Sequence, residues 1–160
     1  MVRLIRLVGV ALAGAVLVVT SALPTLADRG DQRALEASLV GLPASLTGQT
    51  LFGVTAGGLP WRIARGSVEL SGRGHLEVDV RGLVLDAGAS AGTNPIPNGQ
   101  AIVTCAGAPV AMSRVVPFSA AGDAHVEATI SLPAGCLAPA VFFAGVPAPG
   151  VARWFAVTGL

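Results

Sequence analysis

Lysine and tyrosine are absent from the 160-residue chain, and charged residues make up only 12% of it. All ten basic residues are arginines, and they are dispersed along the sequence rather than clustered. Because nucleic-acid binding requires a concentrated basic surface, we expect no nucleic-acid partner. Hydrophobic residues make up 52% of the chain, which is too large a fraction for a wholly disordered protein.

Long helices have little room in this sequence, because it contains 21 glycines and 11 prolines. Both residue types interrupt helices and favour tight turns, so short strands joined by turns are expected. The length suits a single domain.

The first 27 residues have the features of a secretory signal peptide. Arg3 and Arg6 precede an apolar run over residues 7–19, and Thr25-Leu26-Ala27 places small residues where signal peptidase requires them. An uncleaved anchor is the alternative, but the run is shorter than the about 20 residues of a membrane-spanning helix. We therefore expect cleavage after Ala27, an extracellular protein and no membrane anchor afterwards.

The only two cysteines are Cys105 and Cys136. In an exported protein, an even number of cysteines favours a disulfide between them. Free thiols or a metal pair are the alternatives, but neither cysteine has a second cysteine or a histidine at the spacing of a zinc site. We predict the disulfide, and we expect no metal and no cofactor in this protein.

The clearest structural pattern is a β-hairpin. Ser67–Ser71 and His75–Val80 alternate polar and apolar residues on either side of Gly72-Arg73-Gly74. Runs of period two that flank glycines predict two antiparallel strands with one buried face. The residues expected to point into the core are Val68, Leu70, Leu76, Val78 and Val80.

Further strands are expected along the rest of the chain, with turns every eight to twelve residues. They are predicted at Ala101–Cys105, within residues 108–118, at Ala124–Leu132, at Ala140–Ala144 and at Val151–Val157. Leu83-Val84-Leu85 is expected to end the second hairpin strand, and residues 86–99 to form a long loop. The prediction is an all-β antiparallel sandwich or small barrel of six to eight strands.

This β domain is expected to cover residues 58–160, after a poorly defined segment over residues 28–57. Within that segment, Asp31 is expected to cap a short helical turn over Arg33–Glu36, and residues 50–55 to form a strand. The segment itself is expected to dock loosely, as a leader.

Three strings resemble a group of small exported actinobacterial proteins. They are Gly58-Leu59-Pro60-Trp61, Gly92-Thr93-Asn94-Pro95, and Leu132-Pro133 with Cys136 and residues 138–142. The resemblance covers about two thirds of the chain, from residue 58 onward. It implies export and a β fold, and it supplies neither an activity nor site residues.

Two patterns raise the alternative of an enzyme or a metal site. Gly88-Ala89-Ser90-Ala91-Gly92 matches the G-x-S-x-G nucleophile elbow, but the prolines that follow prevent the helix that the elbow needs. Polar faces of two strands carry possible metal ligands, which would converge if the strands were neighbours. These residues are His75, Glu77, Asp79, His125 and Glu127. Solvated positions of half-buried strands explain every one of them, so this interpretation is preferred and no metal site is predicted.

Aromatic residues are the third candidate set, because exposed tryptophans stack on sugars. The set consists of Trp61, Trp154, Phe52, Phe118, Phe142, Phe143 and Phe155. Core packing is the expected role for most of them. Since Trp154 and Phe155 are consecutive in a strand, one of the two rings is expected to be exposed.

The sequence therefore favours a secreted, non-enzymatic structural or interaction module with an extracellular or envelope partner. The loop over residues 86–99 is the expected recognition surface, because loops on rigid scaffolds often carry binding residues. Binding of a small apolar or carbohydrate ligand is the first alternative, and a hydrolase or metalloprotein is the second.

Secretion of the full chain tests the signal-peptide prediction. Intact-mass analysis of the protein in the medium is expected to show a chain that begins at Asp28. A secreted protein that retains Met1 would contradict it.

Overall fold

The computed structural model describes residues 33–159, and the chain is almost entirely β in this range. The expected signal peptide and the expected cap Asp31 lie outside the described residues. Thirteen strands and a single 3₁₀ turn, Ala44–Leu46, make up the regular structure of residues 33–159. In chain order the strands are β1 (Arg33–Gly41), β2 (Thr50–Leu51), β3 (Val54–Thr55), β4 (Trp61–Arg62), β5 (Arg65–Ser71), β6 (His75–Arg81), β7 (Val84–Leu85), β8 (Asn98–Cys105), β9 (Ala108–Met112), β10 (Val116–Pro117), β11 (Ala124–Thr129), β12 (Ala140–Ala148) and β13 (Val151–Thr158).

Nine of these strands form one antiparallel sheet that curls into a half-barrel. The order across it is β10-β8-β12-β13-β1-β5-β6-β11, with β9 also paired to β8. The two ends of the sheet approach each other, because β10 lies beside β11. The all-β prediction is confirmed; the strands beyond the expected six to eight are the two-residue strands β2, β3, β4, β7 and β10.

One half of the sheet, made of β5, β6 and β11, has a buried inner face and a polar outer face. The predicted hairpin is present, and its five predicted core residues are at most 1% exposed. Its turn requires glycine at position 74, where φ is +86°. A Cβ there would lie 1.9 Å from the Ile130 carbonyl oxygen, which no side chain can accommodate.

The other half, made of β8, β12 and β13, is buried on both faces. Phe142 and Phe143 are consecutive in β12, so their side chains point to opposite faces, yet both are fully buried. Phe143 packs edge-on against Phe118, and Phe142 packs edge-on against Phe52 from the segment between β1 and β5. Residues 42–58 therefore cover the outer face of this half.

The structure corrects the expectation for the N-terminal segment. Residues 33–36 form the start of β1 instead of a helical turn, and β1 lies in the middle of the sheet between β5 and β13. Antiparallel pairing with β5 outweighs the weak helical preference of Arg33-Ala34-Leu35-Glu36. The sheet thus includes residues that precede position 58, and residues 33–57 are not a loosely docked leader.

Two further local expectations change. Residues 50–55 form a hairpin, β2 and β3, rather than one strand, because Phe52 (φ +48°) and Gly53 (φ +78°) make a tight turn of the type favoured in hairpins. Val84 and Leu85 do not continue β6; Gly82 (φ +63°) redirects the chain, and β7 pairs with β4 instead.

Cys105 and Cys136 form the predicted disulfide. Cys105 is buried at the end of β8, and Cys136 lies half-buried in the loop before β12. The bond closes a loop between residues 31 positions apart, and so restricts the unfolded chain more than a short loop would. A structural disulfide is typical of proteins in an oxidising compartment.

Replacing both cysteines by alanine is expected to lower the free energy of unfolding by about 3–4 kcal/mol, the loop-closure value for this separation. Denaturant unfolding followed by far-UV circular dichroism measures the change. Addition of reductant to the native protein is the control and should lower the stability similarly. A loss below about 1 kcal/mol in both experiments would show that the bond does not restrict the unfolded chain.

Candidate functional site

The predicted polar residues come together only in part on the outer face of β6 and β11, which are antiparallel neighbours. The register pairs His125 with Asp79 and Glu127 with Glu77, whereas His75 is paired with Thr129. The two histidines are therefore four residues apart along the strands, about 13 Å. A site that uses both imidazoles is excluded.

One histidine and two carboxylates do converge. His125 Nδ1 lies 3.2 Å from Asp79 Oδ1, and Glu77 is on the same face two residues before Asp79. One ligand atom from each of the three residues lies within 4.8 Å of the others. Arg81 Nη2 also approaches Asp79 Oδ1, at 3.6 Å. We call Glu77, Asp79 and His125 the β6–β11 cluster.

Ser90 of the G-x-S-x-G string does not lie in a nucleophile elbow. Its residues form turns within an exposed loop, and no helix follows them. In the described range, no hydrogen bond joins the Ser90 hydroxyl to a histidine or a carboxylate. Ser90 instead uses its backbone carbonyl to accept hydrogen bonds from the amide and hydroxyl of Thr93.

Most of the aromatic residues belong to the core, as expected, but the prediction that Trp154 or Phe155 is exposed is wrong. Trp154 is fully buried and Phe155 is 4% exposed, because β13 is covered on both faces. Ala56 pairs with Trp154 on one side, and Trp61 stacks on Phe155. Phe52 is the one aromatic side chain of residues 33–159 that is substantially exposed, at 44%.

The stacked rings of Trp61 and Phe155 form the floor of a groove. Their centroids are 3.9 Å apart and their planes differ by 13°. Glycines make room for the Phe155 ring: a Cβ on Gly57 would lie 2.9 Å from it, and one on Gly145 only 2.0 Å from it. The ring is therefore held in place from three sides.

Apolar side chains build the walls of this groove, which has a volume of about 270 Å³. Leu59, Pro95 and Ile96 contribute to its lining, as does Pro147 from the end of β12. Leu59 is 44% exposed, although a leucine is usually covered. We call this the Trp61 groove. The loop that the sequence singled out supplies Pro95 and Ile96 to it.

Asn94 fixes that loop, and sequence reasoning did not identify it as important. Its side chain is buried, its Nδ2 donates to the carbonyls of Ile96 (2.7 Å) and Ser119 (2.9 Å), and its Oδ1 accepts from the Ile96 amide (2.8 Å). The backbone N–H of Asn94 also donates to the Ala120 carbonyl. The Asn-Pro sequence marks a turn, but the partner segment is revealed only by the tertiary structure.

Two arginines provide charge around the groove. Arg62 pairs with Asp86 at the start of the loop, with Nε 3.5 Å from Oδ1. Arg153 lines the groove and is exposed; its Nη1 donates to the Ala152 carbonyl, and no acidic group of residues 33–159 forms an ion pair with it. The groove is thus apolar with one uncompensated positive charge in its lining.

No protein-family model, curated protein or solved structure matches the chain significantly. Among residues 33–159, no helix is long and hydrophobic enough to span a membrane.

Substitution of Asn94 tests how the loop is fixed. Asn94→Ala leaves the Ser119 carbonyl and the Ile96 amide without their partner, so the free energy of unfolding is expected to fall by about 2–3 kcal/mol. Asn98→Ala, at an exposed position at the start of β8, is the control and should change stability by less than about 0.5 kcal/mol. Chemical denaturation measures both, and equal effects would contradict this role for Asn94.

Proposed function

We propose that this protein is a secreted, non-catalytic binding module, and that the Trp61 groove holds a small apolar ligand with an anionic group. The observation that carries the proposal is a concave apolar surface, built on a stacked aromatic pair, beside an arginine that forms no ion pair with an acidic group of residues 33–159. Ligand sites in proteins typically combine such an apolar lining with a few placed polar groups.

The size of the groove supports a small molecule as the occupant. Its volume of about 270 Å³ is near the lower end of ligand pockets, which begin at about 300 Å³. A protein segment buries far more surface than this groove offers. The rigid floor supports binding as well, because a preformed site orders few side chains when the ligand enters.

The positive charge of Arg153 determines which small apolar molecules the groove is expected to prefer. Arg153 is the cation in the lining, and its guanidinium has donors left after the bond to the Ala152 carbonyl. A carboxylate, sulfate or phosphate group on the ligand would accept hydrogen bonds from it while the apolar part covers Leu59 and the aromatic floor.

The disulfide supports the proposal that the protein is secreted, and the surroundings of Ser90 support the proposal that it is non-catalytic. A structural disulfide indicates an oxidising environment, consistent with secretion through the N-terminal signal peptide predicted over residues 1–27. Acyl-transfer chemistry at Ser90 would need a base in hydrogen-bond reach, and the described residues place none there.

Two fluorescent probes with the same ring system test the groove. Anilinonaphthalene sulfonate carries an anionic group, and phenylnaphthylamine does not. Both are expected to bind one to one, the sulfonate more tightly. Leu59→Glu should weaken both at least about tenfold by placing a charge in the apolar wall, whereas Arg153→Gln should weaken only the sulfonate.

Leu137→Glu is the matched control, since Leu137 is 71% exposed and does not line the groove. It should leave both affinities unchanged, and near-UV circular dichroism should show that every variant is folded. The proposal is wrong if neither probe binds the wild type, or if Leu137→Glu weakens binding as much as Leu59→Glu. If both probes bind with equal affinity and Arg153→Gln changes neither affinity, the proposal that the ligand carries an anionic group is wrong.

A further inference from the structure

A row of glutamates crosses four adjacent strands on the polar outer face. The register pairs Glu36 with Glu69, Glu69 with Glu77, and Glu77 with Glu127. Like charges directly opposite each other on neighbouring strands are destabilising. Arg33 pairs with Glu36 at one end, but no ion pair among residues 33–159 reaches the other three glutamates. The row therefore concentrates negative charge near Glu77, which favours cations there; Arg65 and Arg81 are paired further along the same face.

The β6–β11 cluster shares Glu77 with this row and adds a nitrogen ligand to it. His125 Nδ1 and Asp79 Oδ1 are 3.2 Å apart, close to the separation of two atoms that bind one zinc ion at about 2.0–2.1 Å with an angle of about 100° between them. Glu77 brings a third ligand atom within 4.8 Å of both. Acidic surface patches in general do not provide this combination of imidazole and carboxylates at ligand spacing.

We propose that Glu77, Asp79 and His125 form a surface site for a divalent transition-metal ion of the zinc type. Imidazole with carboxylates suits zinc, copper and nickel, whereas calcium and magnesium prefer oxygen ligands alone. Three protein ligands leave a fourth position open. A water molecule can occupy that position; Glu127 is opposite Glu77 in the register but is not among the three residues whose ligand atoms converge.

Arg81 competes with the metal for one oxygen of Asp79. Its Nη2 lies 3.6 Å from Asp79 Oδ1, and both side chains are more than a third exposed. An exposed ion pair of this kind stabilises little, so the guanidinium can move away at small cost when a divalent ion binds. The site shares no residue with the Trp61 groove, and either proposal can fail without the other.

Isothermal titration calorimetry with zinc chloride tests the site on the tag-free, disulfide-bonded protein. The wild type should bind one zinc ion with micromolar affinity and show a higher melting temperature in its presence. His125→Ala and Asp79→Asn should each weaken zinc binding at least about tenfold. Calcium chloride should produce no comparable binding.

The second histidine provides a matched control. His75 lies on the same outer face of β6, opposite Thr129 and outside the cluster, so His75→Ala should bind zinc as the wild type does. Three results would overturn the proposal: a wild-type dissociation constant above about 1 mM, equal loss of binding in His75→Ala and His125→Ala, or calcium binding as tight as zinc binding. Circular dichroism of the metal-free variants confirms that each is folded.

Discussion

The pairing of β1 with two different strands is the constraint on which the rest of the structure depends. Residues 33–38 pair with β5, and Leu39–Gly41 pair with β13, so one strand joins the two halves of the curled sheet. Strands that pass from one sheet to another in this way make the corners of sandwiches and barrels. Without β1, the hairpin half and the aromatic half would each expose an edge and lose a shared core.

The position of β1 between the two halves of the sheet also explains why the two candidate sites differ in chemistry. After β1, the chain crosses the outer face of β12 and β13, where Phe52 packs against Phe142. It then reaches the opposite face, where Trp61 stacks on Phe155 and Phe118, before it returns to the sheet at β5. The covered half therefore offers an apolar groove at the margin of the covering segment. Nothing in residues 33–159 covers the outer face of β5, β6 and β11, where alternation leaves carboxylates and histidines in solvent.

Features that follow from local sequence patterns can be predicted from the sequence, whereas the pairing of strands that are distant along the chain cannot. Alternation predicted the hairpin core around Val78, and an even cysteine count predicted the disulfide, because each rule needs only local spacing or compartment. β1 was missed because both of its partners are far along the chain. The sequence indicates the candidate ligands of the β6–β11 cluster. Only the register of β6 and β11 shows that His125, and not His75, lies beside Asp79.

Native-state hydrogen exchange of the β1 amides tests the central claim most directly. If β1 joins the two halves, its hydrogen-bonded amides should exchange only through global unfolding, with the same free energy as those of β6 and β12. Exchange of the β1 amides at the rate of the loop over residues 86–97, while β6 and β12 stay protected, would show that the halves hold together without it and would contradict the account.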